Sequence, residues 1–171
     1  EIYLYDEKFK EKIVCLTGRS GKGKTSILKS IFYKNKNLPI SYLSQELELN
    51  IDNLSLKEII KGFLIEENNS YFEIAIKVAC LDSRYEINSL ISNASGGEKQ
   101  RIRIARIIYY FLINKSKILI MDEPDNNLDV KLFQKIINNI INIPSVERLI
   151  LTSHKFESIK HLSNLQIINI K

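Results

Sequence analysis

Lys12-Ile13-Val14-Cys15-Leu16-Thr17-Gly18-Arg19-Ser20-Gly21-Lys22-Gly23-Lys24-Thr25 passes from a short apolar run into a glycine-rich turn. The run over 12–17 is rich in β-formers and stops at Gly18, so it reads as a buried strand. Beyond the turn, residues 25–33 place Ile27, Leu28, Ile31 and Phe32 at helical spacing. Gly18 to Thr25 therefore fits G-x-x-x-x-G-K-[ST] between a strand and a helix, the setting this motif requires. Its glycines let the backbone curl until N–H groups face phosphate oxygens, and the helix behind adds its positive end. Lys24 would reach the β- and γ-phosphates as a point charge, and the Thr25 hydroxyl would ligate Mg²⁺. Gly18, Arg19, Ser20, Gly21, Lys22, Gly23, Lys24, Thr25 and Ser26 are the candidate phosphate-binding residues.

Working outward, Pro39 restarts an extended segment over 40–44. Further strands are expected at 117–121, 148–152 and 165–170, with helices at 129–143 and 155–162 between them. Strands alternating with helices predict an α/β fold, a P-loop core with a mostly parallel sheet covered on both faces. Residues 52–94 interrupt the alternation. Leu56, Ile59, Ile60 and Phe63 form one helical stripe, Phe72, Ile76, Val78 and Ala79 another, with a polar linker over 66–70. They read as an all-helical insertion, about 52–94, in a single domain over 1–171 whose core is 1–51 and 95–171. Ser95 opens a third helix, running to about Leu112.

The bulk properties suit such a domain. The 171 residues are 44% hydrophobic and 26% charged, which excludes a disordered or fibrous chain. Twenty-five Lys and Arg against 20 Asp and Glu give +5, an excess too small to choose among anionic partners. Cys15 and Cys80 sit in apolar stretches and read as buried thiols of a reducing compartment. No apolar run reaches the roughly 18 residues of a membrane span, and no signal peptide opens the chain, so a soluble cytosolic protein is expected. It begins at Glu1 without a Met, as a piece of a longer protein would.

Two further sites carry chemistry. Ile118-Leu119-Ile120-Met121-Asp122-Glu123-Pro124 is an apolar strand ending in two acids, at the edge where open α/β sheets bind ligands. Asp122 can hold Mg²⁺ through its water shell, and Glu123 can orient and deprotonate an attacking water. The alternative is an acid pair that merely caps the next helix. His154 follows the strand over 149–153 and would meet the γ-phosphate at the same edge. His161 reads as a surface residue of a short helix.

Ser95-Gly96-Gly97-Glu98-Lys99-Gln100-Arg101 completes a set of motifs. With the loop over 18–25, Gln45, Asp122-Glu123, Asn127-Leu128-Asp129 and His154, it resembles an ABC-type ATPase domain, exporter-like, across nearly the whole chain. Ser95 could cap a helix while two glycines let backbone N–H groups approach an anion. The resemblance implies ATP and Mg²⁺ as cofactors, with Thr25, Gln45 and Asp122 at the metal and Glu123 as general base. It implies that His154 holds the γ-phosphate, that Gln45 senses metal and water, and that Lys24 binds phosphate. It further implies a head-to-tail dimer in which Ser95, Gly96, Gly97 and Glu98 of one domain close over the partner's nucleotide, with Asp129 in the loop linking the two sites.

Some positions depart from the family pattern. Ala94 stands where Leu is usual, Glu98 where Gln is frequent, and Asn126-Asn127 where small residues are common. Gln45 follows Lys24 by only 21 positions, so the small antiparallel region between them must be reduced. The adenine-stacking aromatic would fall before Glu1, and Tyr3 and Tyr5 are poor substitutes.

The order of 40–45, 55–60 and 75–82 resembles exporters, whose glutamine loop and helical insertion receive a helix of a transmembrane domain. The expected activity is that of a transporter's ATP-hydrolysing motor at the inner face of the membrane, although 88–93 lacks the Gly-Glu element common in exporters. The alternative is a soluble ABC ATPase acting on ribosomes or DNA. No long coiled coil and no dense Lys/Arg cluster favour it, since Arg101, Arg103 and Arg106 look ordinary on the signature helix.

Overall fold

The computed structural model describes residues 9–45, 54–62, 68–81 and 94–170. Phe63, Tyr3, Tyr5, Glu66 and Glu67 of the polar linker and the stretch over 88–93 lie outside these residues.

Among the described residues, five strands form one sheet: β1 (Ile13–Thr17), β2 (Ile40–Leu43), β3 (Ile118–Met121), β4 (Arg148–Thr152) and β5 (Leu165–Asn169). Their order is β2-β3-β4-β1-β5 and every pair is parallel. The register sets Val14 beside Ile150 and Cys15 beside Leu151, so side chains of alternate residues leave opposite faces. Both faces are covered, which is why the central strands read as unbroken apolar runs.

One face packs Val14, Leu16, Ile120 and Ile150 against Leu28 and Ile31 of α1 (Lys24–Lys34). The other packs Ile13, Cys15, Leu119, Met121, Leu149 and Leu151 against two helices. These are α4 (Gly96–Ile113), through Ile104, Ile108 and Phe111, and α5 (Val130–Ile141), through Phe133, Ile136 and Ile140. Between β2 and α4, the short α2 (Leu56–Lys61) and α3 (Asn69–Val78) bring Leu56, Ile59, Ile60, Phe72 and Ala75 into that second core. Each begins at a side-chain cap: Ser55, in a capping box with Glu58, and Asn68.

Two expectations need correction. Residues 155–162 do not form a helix beyond a single 3₁₀ turn, Phe156–Ile159. Its apolar residues Phe156, Ile159 and Leu162 repeat every three positions, the period of a 3₁₀ turn rather than of an α-helix. His161 beyond it is exposed. Cys15 is fully buried, and burial pushes its thiol up to about 12. Cys80, however, is only partly buried. It ends α3 in a left-handed turn (φ 54°), where Asn139 Nδ2 donates to its sulfur at 3.5 Å.

Candidate active site

Parallel strands deliver the ends of β1, β2, β3 and β4 to one edge of the sheet, and the loops there hold the charged side chains. After β1, the backbone turns through Gly18, Gly21 and Gly23, all at positive φ. Gly23 stands at the cap position of α1 with φ 82° and offers no side chain to its first turn. Helices α2, α3, α4 and α5 are each capped by Ser, Asn or Asp. The first-turn N–H groups of α1 are thus left for an external acceptor, and no acid sits among them. Lys24 is nearly buried, and its Nζ donates to the carbonyls of Gly18 (2.8 Å) and Arg19 (3.1 Å) across the mouth of the loop. Thr25 is half-buried behind it, while Arg19, Ser20, Lys22 and Ser26 are exposed.

Asp122 and Glu123 emerge from β3. Asp122 is buried; its Oδ1 accepts from Thr152 Oγ1 at 2.7 Å, while Oδ2 is buried with no hydrogen-bond partner among the described residues. A buried carboxylate oxygen left open is costly unless something completes it. An oxygen-ligated cation does so, and the residues present therefore fit Mg²⁺. No group of three His, Cys, Asp or Glu side chains suited to a metal occurs among the described residues. The fit is thus to an ion held by one or two protein oxygens plus phosphate, the usual arrangement for Mg²⁺.

Glu123 takes a left-handed backbone (φ 48°), with its N–H donating to Thr152 Oγ1 at 2.8 Å. This non-glycine strain swings its carboxylate among three partners. Oε2 accepts from Gln45 Nε2 (2.9 Å) and Asn126 Nδ2 (3.1 Å), and Oε1 meets His154 Nε2 at 3.0 Å. Its side chain is 16% exposed and that of His154 53%, so the cluster opens to solvent on the histidine side. Glu123, Gln45 and His154, predicted from three separate segments, form one hydrogen-bonded group.

Several residues that hold this group escaped the sequence reading. Buried Asp125 accepts the backbone N–H groups of His154 (2.9 Å) and Lys155 (3.0 Å) on Oδ2, fastening the histidine loop to the end of β3. Gln100 Nε2 donates to the Pro124 carbonyl at 3.1 Å. Arg103 donates to the carbonyls of Ser44 and Gln45 and to Gln100 Oε1. Burial lowers its guanidinium below the ordinary arginine value. Arg101 Nη1 donates to the Cys80 carbonyl at 2.7 Å. Two of the three arginines that looked ordinary thus tie α4 to its neighbours. The three-residue spacing of Arg103 from Gln100 on one helix face was the available signal for it.

The serine-glycine segment lies elsewhere. Ser95 and Glu98 form a reciprocal capping box at the start of α4. Gly96 and Gly97 carry Asn127 of the next loop against them; a Cβ at Gly97 would lie 2.8 Å from the Asn127 carbonyl oxygen. Gly97 is required by this backbone contact within the chain, whatever else approaches it, while a Cβ at Gly96 would press on the Asn127 side chain at 3.1 Å. Asp129 caps α5, its Oδ1 accepting from Leu132 N at 2.9 Å. Because α1 and α4 cover opposite faces of the sheet, the phosphate loop and the Ser95 segment are not brought together in one chain.

Comparison with known proteins bears on this arrangement. The profile of the family described as ABC transporter matches residues 8–126. The ATP-binding protein Uup of Buchnera aphidicola subsp. Schizaphis graminum is 32% identical over 136 residues, covering 71% of this chain and 22% of its own length. The zinc import ATP-binding protein ZnuC 1 of Aliivibrio fischeri is 33% identical over 131 residues, 70% of this chain and 48% of its own. The chain thus spans less than half of either relative. The lipoprotein-releasing system ATP-binding protein LolD of Rickettsia bellii is 26% identical across 90% of this chain and 79% of its own length. Among solved structures, a bacterial Atm1-family ABC exporter with ATP bound superposes at TM-score 0.71 and 18% identity, over 94% of this chain and 33% of that one. That likeness shows the fold.

Proposed function

The chain belongs to the ABC transporter family, and from that premise we propose that it is the ATP-binding and ATP-hydrolysing motor domain of a transporter, working as a head-to-tail dimer with two ATP at the interface. The observation that carries this reading is the cluster around Glu123, set beside the open oxygen of Asp122 and on the same sheet edge as an uncapped phosphate loop.

In this reading, Lys24 and the N–H groups over 18–26 bind the phosphates. Thr25, Asp122 and Gln45 would hold Mg²⁺, which would neutralise charge on the phosphates when bound. Glu123 takes a proton from the attacking water as the water oxygen bonds to the γ-phosphorus, and the bond to the bridging oxygen breaks to leave ADP and phosphate. His154, shared between Glu123 and the phosphate, keeps both in line.

The dimer is supported by the separation of the two helix starts. Ser95, Gly96, Gly97 and Glu98 lie across the sheet from their own phosphate loop, so a second copy would supply them. The loop over 126–129 touches both places: Asn126 bonds Glu123, and Asn127 packs on Gly96 and Gly97. With Asp129 capping α5, it is suited to report events at one site to the other.

A transmembrane partner is supported by a cavity of about 260 Å³ lined by Leu43, Ser44, Arg103, Arg106 and Tyr110, directly before Gln45. No described helix is long and apolar enough to cross a membrane. Attachment to the inner face would run through a transmembrane domain in the same or another chain. The second reading is a soluble ABC ATPase acting on ribosomes or DNA; the Uup relative is described as an ATP-binding protein. Fractionating native cells separates the two, through recovery with membranes or with ribosomes and nucleoid.

Two outcomes test the site. Hydrolysis should rise with the square of protein concentration in dilute solution, since two chains complete each site; strict proportionality down to the lowest concentration contradicts the shared arrangement. Arg103→Met should lower kcat on the order of tenfold with ATP affinity unchanged, because it releases the carbonyls that place Gln45. Equal losses in kcat and affinity would show Arg103 acting otherwise.

A further inference from the structure

The side chain of His154 is 53% exposed, and its ring meets one partner among the described residues, Glu123 Oε1. A ring so open to solvent is not aimed by packing. Its direction is set by the backbone that carries it, and the N–H of that backbone is held by Asp125. We propose that Asp125 is a positioning residue for hydrolysis, acting at the γ-phosphate end of the site through His154; the assignment rests on the ATP-hydrolysing reading above.

The sheet does not hold this loop. The pairing of β4 with β1 ends at Thr152, whose hydroxyl is already engaged, donating to Asp122 and accepting the Glu123 N–H. Beyond it, the N–H groups of His154 and Lys155 both donate to Asp125 Oδ2, at 2.9 and 3.0 Å. The attachment is reciprocal, since Lys155 Nζ donates to the Asp125 carbonyl at 3.0 Å. Asp125 and Lys155 thus clasp each other through side chain and main chain at once. The same carbonyl accepts Leu128 N at 3.2 Å, so the 126–129 loop starts from the clasp.

The state of the side chain suits this task. Asp125 is 1% exposed, and its Oδ1 is buried with no hydrogen-bond partner among the described residues. Leaving one oxygen of a buried carboxylate idle is unfavourable. In return, the charge strengthens the two N–H bonds on the other oxygen, and burial strengthens them further. Without the clasp, the loop could carry the His154 ring away from Glu123. A misplacement of about 1 Å at a reacting site can lower a rate roughly 10²-fold. Among the described residues, no hydrogen bond of Asp125 reaches the phosphate loop, so ATP binding should be spared.

A double-variant cycle in single-turnover ATP hydrolysis tests the assignment. Asp125→Leu, close in shape but without an acceptor, should lower the rate by roughly 10- to 100-fold and leave ATP affinity by calorimetry nearly unchanged. On a His154→Ala background, the same substitution should lower the rate no further, because there is no ring left to aim. Asp125→Asn keeps one oxygen for both N–H groups but not the charge, so it should restore most of the rate and show only a few-fold loss. Where Asp125→Leu does not fold, Asp125→Asn decides by itself: its loss should vanish on the His154→Ala background, and a loss that persists there, or no loss at all, overturns the assignment. Losses that multiply across the two backgrounds, or that fall equally on rate and affinity, overturn it too. So does a wild-type rate in His154→Ala, which leaves the ATPase reading intact. A wild type that hydrolyses no ATP removes that reading, and the assignment with it.

Discussion

Replacing Glu123 by Gln lowers steady-state ATP hydrolysis by roughly 10²–10⁴-fold while nucleotide binding persists. The carboxamide keeps the shape of the side chain and one acceptor oxygen, but cannot take a proton from water. The supports of Glu123 are all set for an acceptor. Gln45 Nε2 and Asn126 Nδ2 both donate to Oε2, and His154 Nε2 stands at Oε1. Gln fills the same space and can turn its oxygen toward two of these donors, so the fold and the phosphate loop should be untouched. ATP then stays uncleaved, and the variant should accumulate as a nucleotide-bound dimer on sedimentation. Turnover close to wild type would remove Glu123 from the role of base.

Lys24→Ala acts on the other half of the site. Among the described residues, its Nζ is bound by loop carbonyls, those of Gly18 and Arg19, on a nearly buried side chain. These bonds are weak holders that a polyphosphate, with full negative charge, would displace. A hydrogen bond to a charged group contributes about 1.5–3 kcal/mol, so losing the ammonium should weaken ATP by roughly 10²-fold. Thermal stability should hardly move, because the methylene stem that is lost is not part of either hydrophobic core. Calorimetry checks both halves: unchanged ATP affinity would refute the assignment, and a large fall in Tm would make Lys24 a structural residue.

The parts of this molecule that could be read in advance are those whose signal is local. Apolar runs ended by glycine became β1 and β3, and Ser95 followed by Glu98 three positions later became a capping box. The serine-glycine segment was recognisable as a motif, yet the reason for its glycines was hidden. Nothing near residue 97 signals that the backbone of Asn127 rests on it. The same holds for Asp125 and Arg103, whose partners lie 29 and 59 positions away, at His154 and Ser44. Strand order was equally silent: β2 follows β1 in the chain but lies at the far edge, beyond β4 and β3. The 3₁₀ turn at 156–159 was misread as a longer helix because three apolar residues suit either period until the register beyond them is known.

The head-to-tail arrangement is tested most directly by mixing two variants, Lys24→Ala and Ser95→Arg, each defective in a different half of the site. Each alone should hydrolyse almost no ATP. In mixed dimers, the Lys24 of one chain faces the Ser95 of the other, so one of the two sites is intact. With half of the dimers mixed, roughly a quarter of wild-type activity should return. If the mixture stays as inactive as its components, or if either variant is active by itself, each chain does not complete its partner's site and the proposed motor is wrong in its central feature.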